Sequence, residues 1–169
     1  MNQYGMLENI IDHSIEVARV ALFLSMELNK RGQQIDLVLV EAASLLHDLT
    51  KTESFKTKED HALTGSELLK RMGYDRVGEV VAQHIWLSHE VDPLCVSVEE
   101  VVNYADKRVM HDRIVSLEER FNDLKTRYGK DEKGKDYLER MEKVIQEIEG
   151  KIFLLLQMDP DDLQGLQGR

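Results

Sequence analysis

The chain has 169 residues, 42% of them hydrophobic and 32% charged, enough apolar side chain for one domain with a real core and no membrane excess. Lysine and arginine number 22 against 32 acidic residues, and the net charge of −10 argues against a protein that lives on nucleic-acid backbones. The single cysteine, Cys95, excludes an internal disulfide and a cysteine-rich zinc site, and its apolar surroundings suggest a structural role.

Apolar residues recur at helical spacing from Leu7 to Lys30, and Gly32 ends that helix. A second helix is expected from about Asp36, its N-cap, to His47, and its end is apolar nearly all round. Thr50 to Lys58 reads as a polar loop. Helices are then expected from about Glu59 to Met72, closed by Gly73, and from about Asp75 to Ser88. A long helix begins near Val98, with a stripe running through Val102, Asp106, Met110, Leu117, Phe121, Leu124 and Tyr128. A polar Gly-rich turn follows at 129–135, and a last helix carries Leu138, Met141, Ile145, Ile148, Ile152 and Leu155. Two heptad stripes around a short turn predict an antiparallel helical hairpin, which either folds back on the core or joins two chains in a homodimer. The expected architecture is an all-α bundle over residues 1–113, a continuous C-terminal hairpin over 114–158 and a flexible tail over 159–169. No stretch near the N-terminus reads as a signal peptide and no apolar run reaches the length of a membrane span, so a cytoplasmic protein is expected.

Polar residues inside apolar stripes are the anomaly. His13 shares a face with Val17 and Val20, His84 one with Val77 and Val81, and Asp106 one with Val102 and Met110. His47 and Asp48 end the most apolar helix, and His61 opens the next one but a loop away. Taken singly, each has a plain structural reading as a hydrogen-bonded core group. Together, imidazoles and carboxylates facing inward from several helices suit divalent transition metals, because an unpaired buried carboxylate is costly. A second His-Asp pair, His111-Asp112, lies off the core stripe and reads as solvated surface.

The order His13, His47-Asp48, His61, His84, Asp106 resembles the HD-domain superfamily of metal-dependent phosphohydrolases. The run from Ala42 to Lys51 (AASLLHDLTK) is similar to the family's apolar helix ending in HDIGK, with Leu49 and Thr50 in place of Ile and Gly. Asp60-His61 with Gly65, and Asn103-Tyr104-Ala105-Asp106, resemble the family's later motifs. The resemblance implies an all-α HD fold in which His13, His47, Asp48 and Asp106 form the minimal metal set. His61 and His84 would add a second metal, with Asp48 as the bridge. The ions would be two divalent metals drawn from Fe, Mn, Ni, Co, Zn or Mg. It implies catalytic roles for Asp48 and Lys51, and makes Lys51, His89 and Arg113 substrate-binding candidates, Arg113 because it lies seven residues beyond Asp106 on one helix face. A Gly-Tyr-Pro signature is missing, so cyclic-dinucleotide hydrolysis is not expected. Two metals about 3.5–4 Å apart would share a hydroxide that attacks phosphorus. The expected substrate is a small phosphorylated metabolite, a nucleotide or dinucleotide, with no nucleic-acid polymer and no membrane as partner. The alternatives are a di-iron oxygenase of the same fold and a non-catalytic, metal-stabilised interaction module.

Overall fold

The computed structural model describes residues 4–88, 92 and 94–166. Among these the elements run α1 (Glu8–Asn29), α2 (Leu37–Leu46), α3 (Lys51–Thr57), α4 (His61–Arg71), α5 (Asp75–Val81), α6 (Val98–Arg108), a two-stranded antiparallel ribbon β1 (Val109–Met110) and β2 (Arg113–Ile114), α7 (Leu117–Tyr128), α8 (Glu132–Leu156) and a 3-10 helix (Pro160–Leu166). The all-α expectation holds, and the small ribbon does not alter the class. No helix among the described residues is long and apolar enough to cross a membrane.

Local chemistry sets the helix starts. The Asp36 carboxylate accepts from the Val38 and Leu39 amides, and Asp60 does the same for Ala62 and Leu63. Ser97 and Glu100 form a capping box that opens α6. The core lies where α1, α2, α6 and α8 meet, with Val17, Val20, Leu24, Ala43, Val102, Ile148 and Ile152 all fully buried or nearly so. Helices α4 and α5 pack closely because position 78 is a glycine. A Cβ there would lie 2.8 Å from the Ser66 carbonyl oxygen.

Four differences from the sequence reading shape the site. The segment read as a polar loop, Thr50 to Lys58, is mostly the short helix α3, which exits through a left-handed Lys58. Helix α5 stops at Val81 instead of continuing to Ser88, because α6 side chains take the next carbonyls. Asn103 donates to the Gln83 oxygen and Lys107 to the His84 oxygen.

The long helix from Val98 is broken after Arg108. There the Val115 amide donates to the Arg108 carbonyl, the Arg108 Nε donates to the Val115 carbonyl, and Ser116 caps a new helix. The described part of the tail is ordered as a 3-10 helix. Leu163 is fully buried, and Arg108 donates to the Pro160 carbonyl at 3.0 Å.

Helices α7 and α8 do form the antiparallel hairpin, and α8 lies on α6 and α1. Its stripe of Leu138, Met141, Ile145, Ile148 and Ile152 is buried within the one chain, so that face is not free for a second copy. Two buried polar clasps fix it. Arg108 donates to Tyr104 and Glu149, and the Lys151 ammonium reaches Glu100 at 2.6 Å and the carbonyls of Asp92 and Cys95. Cys95 itself is exposed, so its side chain is not the packed group the sequence suggested.

Candidate metal centre

Five helices or their ends deliver the six predicted ligands to one place. His13 comes from α1, His47 and Asp48 from the turn after α2, His61 from the first turn of α4, His84 from the turn after α5 and Asp106 from α6. His47 and Asp48 are essentially inaccessible to solvent, and His13, His84 and Asp106 are buried. The early stop of α5 matters here, because it lets the chain turn and aim His84 inward.

Backbone carbonyls settle which ring nitrogen faces the cluster. His13 Nδ1 lies 2.9 Å from the His111 carbonyl, His47 Nδ1 2.7 Å from that of Ser44, and His84 Nδ1 2.7 Å from that of Val81. A carbonyl only accepts, so each Nδ1 donates and, in the neutral ring, each Nε2 presents a lone pair to the interior. At His61 the contact is to the backbone, and Thr50 makes it. Its hydroxyl donates to the His61 carbonyl at 2.9 Å, and Gly65 leaves it room.

The Nε2 atoms and carboxylates form two groups that share Asp48. In one, His13, His47 and Asp48 bring ligand atoms within 4.8 Å of one another, with Asp106 Oδ1 3.0 Å from His13 Nε2 and 3.6 Å from His47 Nε2. In the other, Asp48 Oδ1 lies 3.2 Å from His61 Nε2 and 3.6 Å from His84 Nε2. The His61 and His84 Nε2 atoms face each other at 3.2 Å.

The donor set fits divalent cations by its own unmet needs. His47 Nε2 and Asp48 Oδ1 are buried and make no hydrogen bond, a state that costs free energy unless a cation completes it. Burial pushes the His47 imidazole down, but the Asp48 and Asp106 charges outweigh it and raise it from 6.5 to about 10. Burial likewise pushes Asp48 and Asp106 up. It is outweighed by His47 and Lys51 at Asp48, and by Lys107 and His13 at Asp106, so both carboxyls stay well below the usual range. His84, held down by burial and by the His47 charge, stays neutral and ready to ligate.

The remaining predicted residues divide. Lys51 Nζ lies 2.6 Å from Asp48 Oδ2, at the edge of the cluster. Arg113 does not share a helix with Asp106, because α6 ends five residues before it. Its side chain is 61% exposed, lies 3.9 Å from Glu119 and does not line the central cavity. His89 lies outside the described residues. His111-Asp112 is exposed, as expected, but it sits on the ribbon turn, where His111 lines the cavity and its carbonyl holds His13.

A cavity of about 570 Å3 opens over the cluster, and the hairpin forms its far wall. Sequence reasoning missed Lys107, Arg120 and Arg127, which line it. Lys107 follows Asp106 in α6, and its buried ammonium lies 2.6 Å from Asp106 Oδ2. Arg120, Leu124 and Arg127 follow steps of four and three along α7 and share one helical face, and neither arginine stands in the apolar stripe of Leu117, Phe121, Leu124 and Tyr128.

Comparison with known proteins gives the chain its relatives. The family model of the HD domain matches residues 10–110. An uncharacterized protein of Methanocaldococcus jannaschii is 26% identical over 136 residues, covering 73% of this chain and 79% of that protein. Ribonuclease Y of Acidothermus cellulolyticus is 31% identical over 156 residues, 90% of this chain but 27% of that protein. Ribonuclease Y of Petrotoga mobilis is 35% identical over 91 residues, 54% of this chain and 16% of that protein. The chain therefore spans about a quarter or less of these ribonucleases. No solved structure matches the chain significantly.

Proposed function

The chain belongs to the HD-domain family, and from that premise we propose that it is a metal-dependent phosphohydrolase that cleaves a phosphate ester of a small metabolite, a nucleotide or dinucleotide. The observation that carries this reading is the position of Asp48, whose carboxylate stands between two groups of inward-facing imidazoles at the floor of a cavity sized for a small molecule.

His13, His47, Asp48 and Asp106 would hold one divalent cation, and Asp48, His61 and His84 a second. Such cations supply Lewis acidity toward phosphoryl oxygens and lower the pKa of bound water toward neutrality. The chain's own residues do the rest. The carbonyls of His111, Ser44 and Val81 keep three rings in the ligating tautomer. Lys51 stands beside Asp48, where its ammonium can pass from that carboxylate to a substrate phosphoryl oxygen. Buried walls keep bulk water from the floor of the site.

A second reading comes from the ribonuclease Y relatives, whose name points to RNA. For this chain it would mean a phosphodiester at the end of an RNA strand, since the cavity admits a small group and the net charge is −10.

The test is a phosphate-release screen of the metal-replete protein over mononucleotides, dinucleotides, sugar phosphates and short oligoribonucleotides, with oxygen uptake followed in parallel. Release from the small compounds supports the main reading, and cleavage confined to oligoribonucleotides supports the second. Oxygen uptake by the iron-loaded protein, without phosphate release from any compound, would replace both.

A further inference from the structure

The α7–α8 hairpin lies beyond the part of the chain that matches the family, yet two of its arginines, Arg120 and Arg127, line the same cavity. Arg120 is the unusual one. It is 9% exposed, lines the cavity, and its buried Nε has no hydrogen-bond partner. Its ion-pair contact is with Asp123, at 3.6 Å, too long for a hydrogen bond. Asp123 is shared, because Arg127 one turn further on bonds the same carboxylate oxygen. Two guanidinium groups thus divide one carboxylate, which leaves a positive charge at the cavity wall. Lys51 and Lys107, by contrast, are already matched to Asp48 and Asp106 at 2.6 Å each.

A buried guanidinium with an unmet donor is completed by a planar or tetrahedral oxyanion, which takes two of its N–H groups at once. We propose that the hairpin completes the site as an anion subsite: Arg120, supported by Arg127, holds a phosphoryl group of a small organic phosphate in the cavity, without needing the metals to do so. The inference rests on the phosphohydrolase reading for the identity of the anion. The apolar side chains of Leu124, Leu138 and Met141 around it provide a surface for the organic part. Arg120 is therefore a substrate-binding residue, and Asp123 is its internal competitor.

The opposing roles of Arg120 and Asp123 give the test two directions. Binding of adenosine 5′-monophosphate to the full chain is measured by isothermal titration calorimetry after chelation of metal, which stops turnover, with adenosine as the uncharged control. Arg120→Ala is expected to weaken binding of the monophosphate about 10-fold or more and to leave adenosine unchanged. Asp123→Asn is expected to tighten it by about 3-fold, since it frees both guanidinium groups, and an improvement cannot come from misfolding. Equal affinity in the wild type and both variants overturns the inference, as does a wild type that binds the monophosphate no better than adenosine. If Arg120-dependent binding is found but the metal-replete protein releases phosphate from nothing, the anion subsite stands and the phosphohydrolase reading falls.

Discussion

The chain carries the dipeptide His-Asp twice, and the two copies do opposite things. His47-Asp48 follows the most apolar helix, is 0% and 1% exposed, and supplies the carboxylate around which the cluster is arranged. His111-Asp112 sits on a ribbon turn with its side chains exposed, and His111 adopts a left-handed φ of 60°. Its contribution is the backbone carbonyl that orients His13. Ligating power therefore comes from where the chain deposits the pair, and the dipeptide itself confers none. A helix buried on its neighbours ends at the first copy, and a carbonyl of its last turn fixes the ring. At the second copy the same residue types meet water.

The largest expected effect follows from removing the shared carboxylate. Asp48→Ala should lose at least one equivalent of metal and reduce phosphate release to background, while the helical circular dichroism persists because the helices keep their own apolar faces. Full activity in this variant would mean that the first pair is no more functional than the second.

Next in size is a pH effect. Without metal, His47 holds its proton up to about 10, above its ordinary 6.5. A ligating imidazole must be neutral, so metal binding near neutral pH has to expel that proton. Metal affinity should therefore rise by up to about tenfold per pH unit between about pH 7 and pH 9, with one proton released per chain from His47. Calorimetry in buffers of different ionisation enthalpy measures that proton, and a pH-independent affinity would contradict the arrangement.

Lys51→Ala should act on catalysis and spare the metals. The lysine competes with cations for Asp48 Oδ2, so metal content should be equal or higher, while kcat/KM falls about 10- to 100-fold through loss of one charge-assisted phosphate contact. Metal loss in this variant would place the ammonium among the supports of the cluster.

The smallest effect belongs to the second dipeptide. His111→Ala keeps the carbonyl that His13 needs, so metal content should not change and stability should shift by no more than about 0.5 kcal/mol. Loss of metal would show that the His111 ring, and not its backbone, serves the site.

Much of this was legible in the sequence because the ligands interrupt strong apolar patterns. His13 and Asp106 stand in stripes that have no use for charge, and the capping residues Asp36 and Asp60 fix where the neighbouring helices start. Other features depended on contacts between distant residues. The end of α5 is decided by Asn103 and Lys107 from α6, some 20 residues away. The break after Arg108 was hidden because Met110, Leu117 and Phe121 keep helical spacing across it. Ser116 with Glu119 marks the new start, and was readable as a cap. The helix-face argument that placed Arg113 beside Asp106 failed with that helix. Arg120 was invisible as a site residue because only the fold of the hairpin brings α7 over the His/Asp cluster.

The central claim is that Asp48 joins two separable metal sites, and metal content per chain tests it most directly. By inductively coupled plasma mass spectrometry, the wild type should carry two equivalents of divalent metal. The His61→Ala/His84→Ala double variant should carry one, held by His13, His47, Asp48 and Asp106. A wild type that binds a single equivalent under saturating metal, or a double variant that still binds two, would contradict the account.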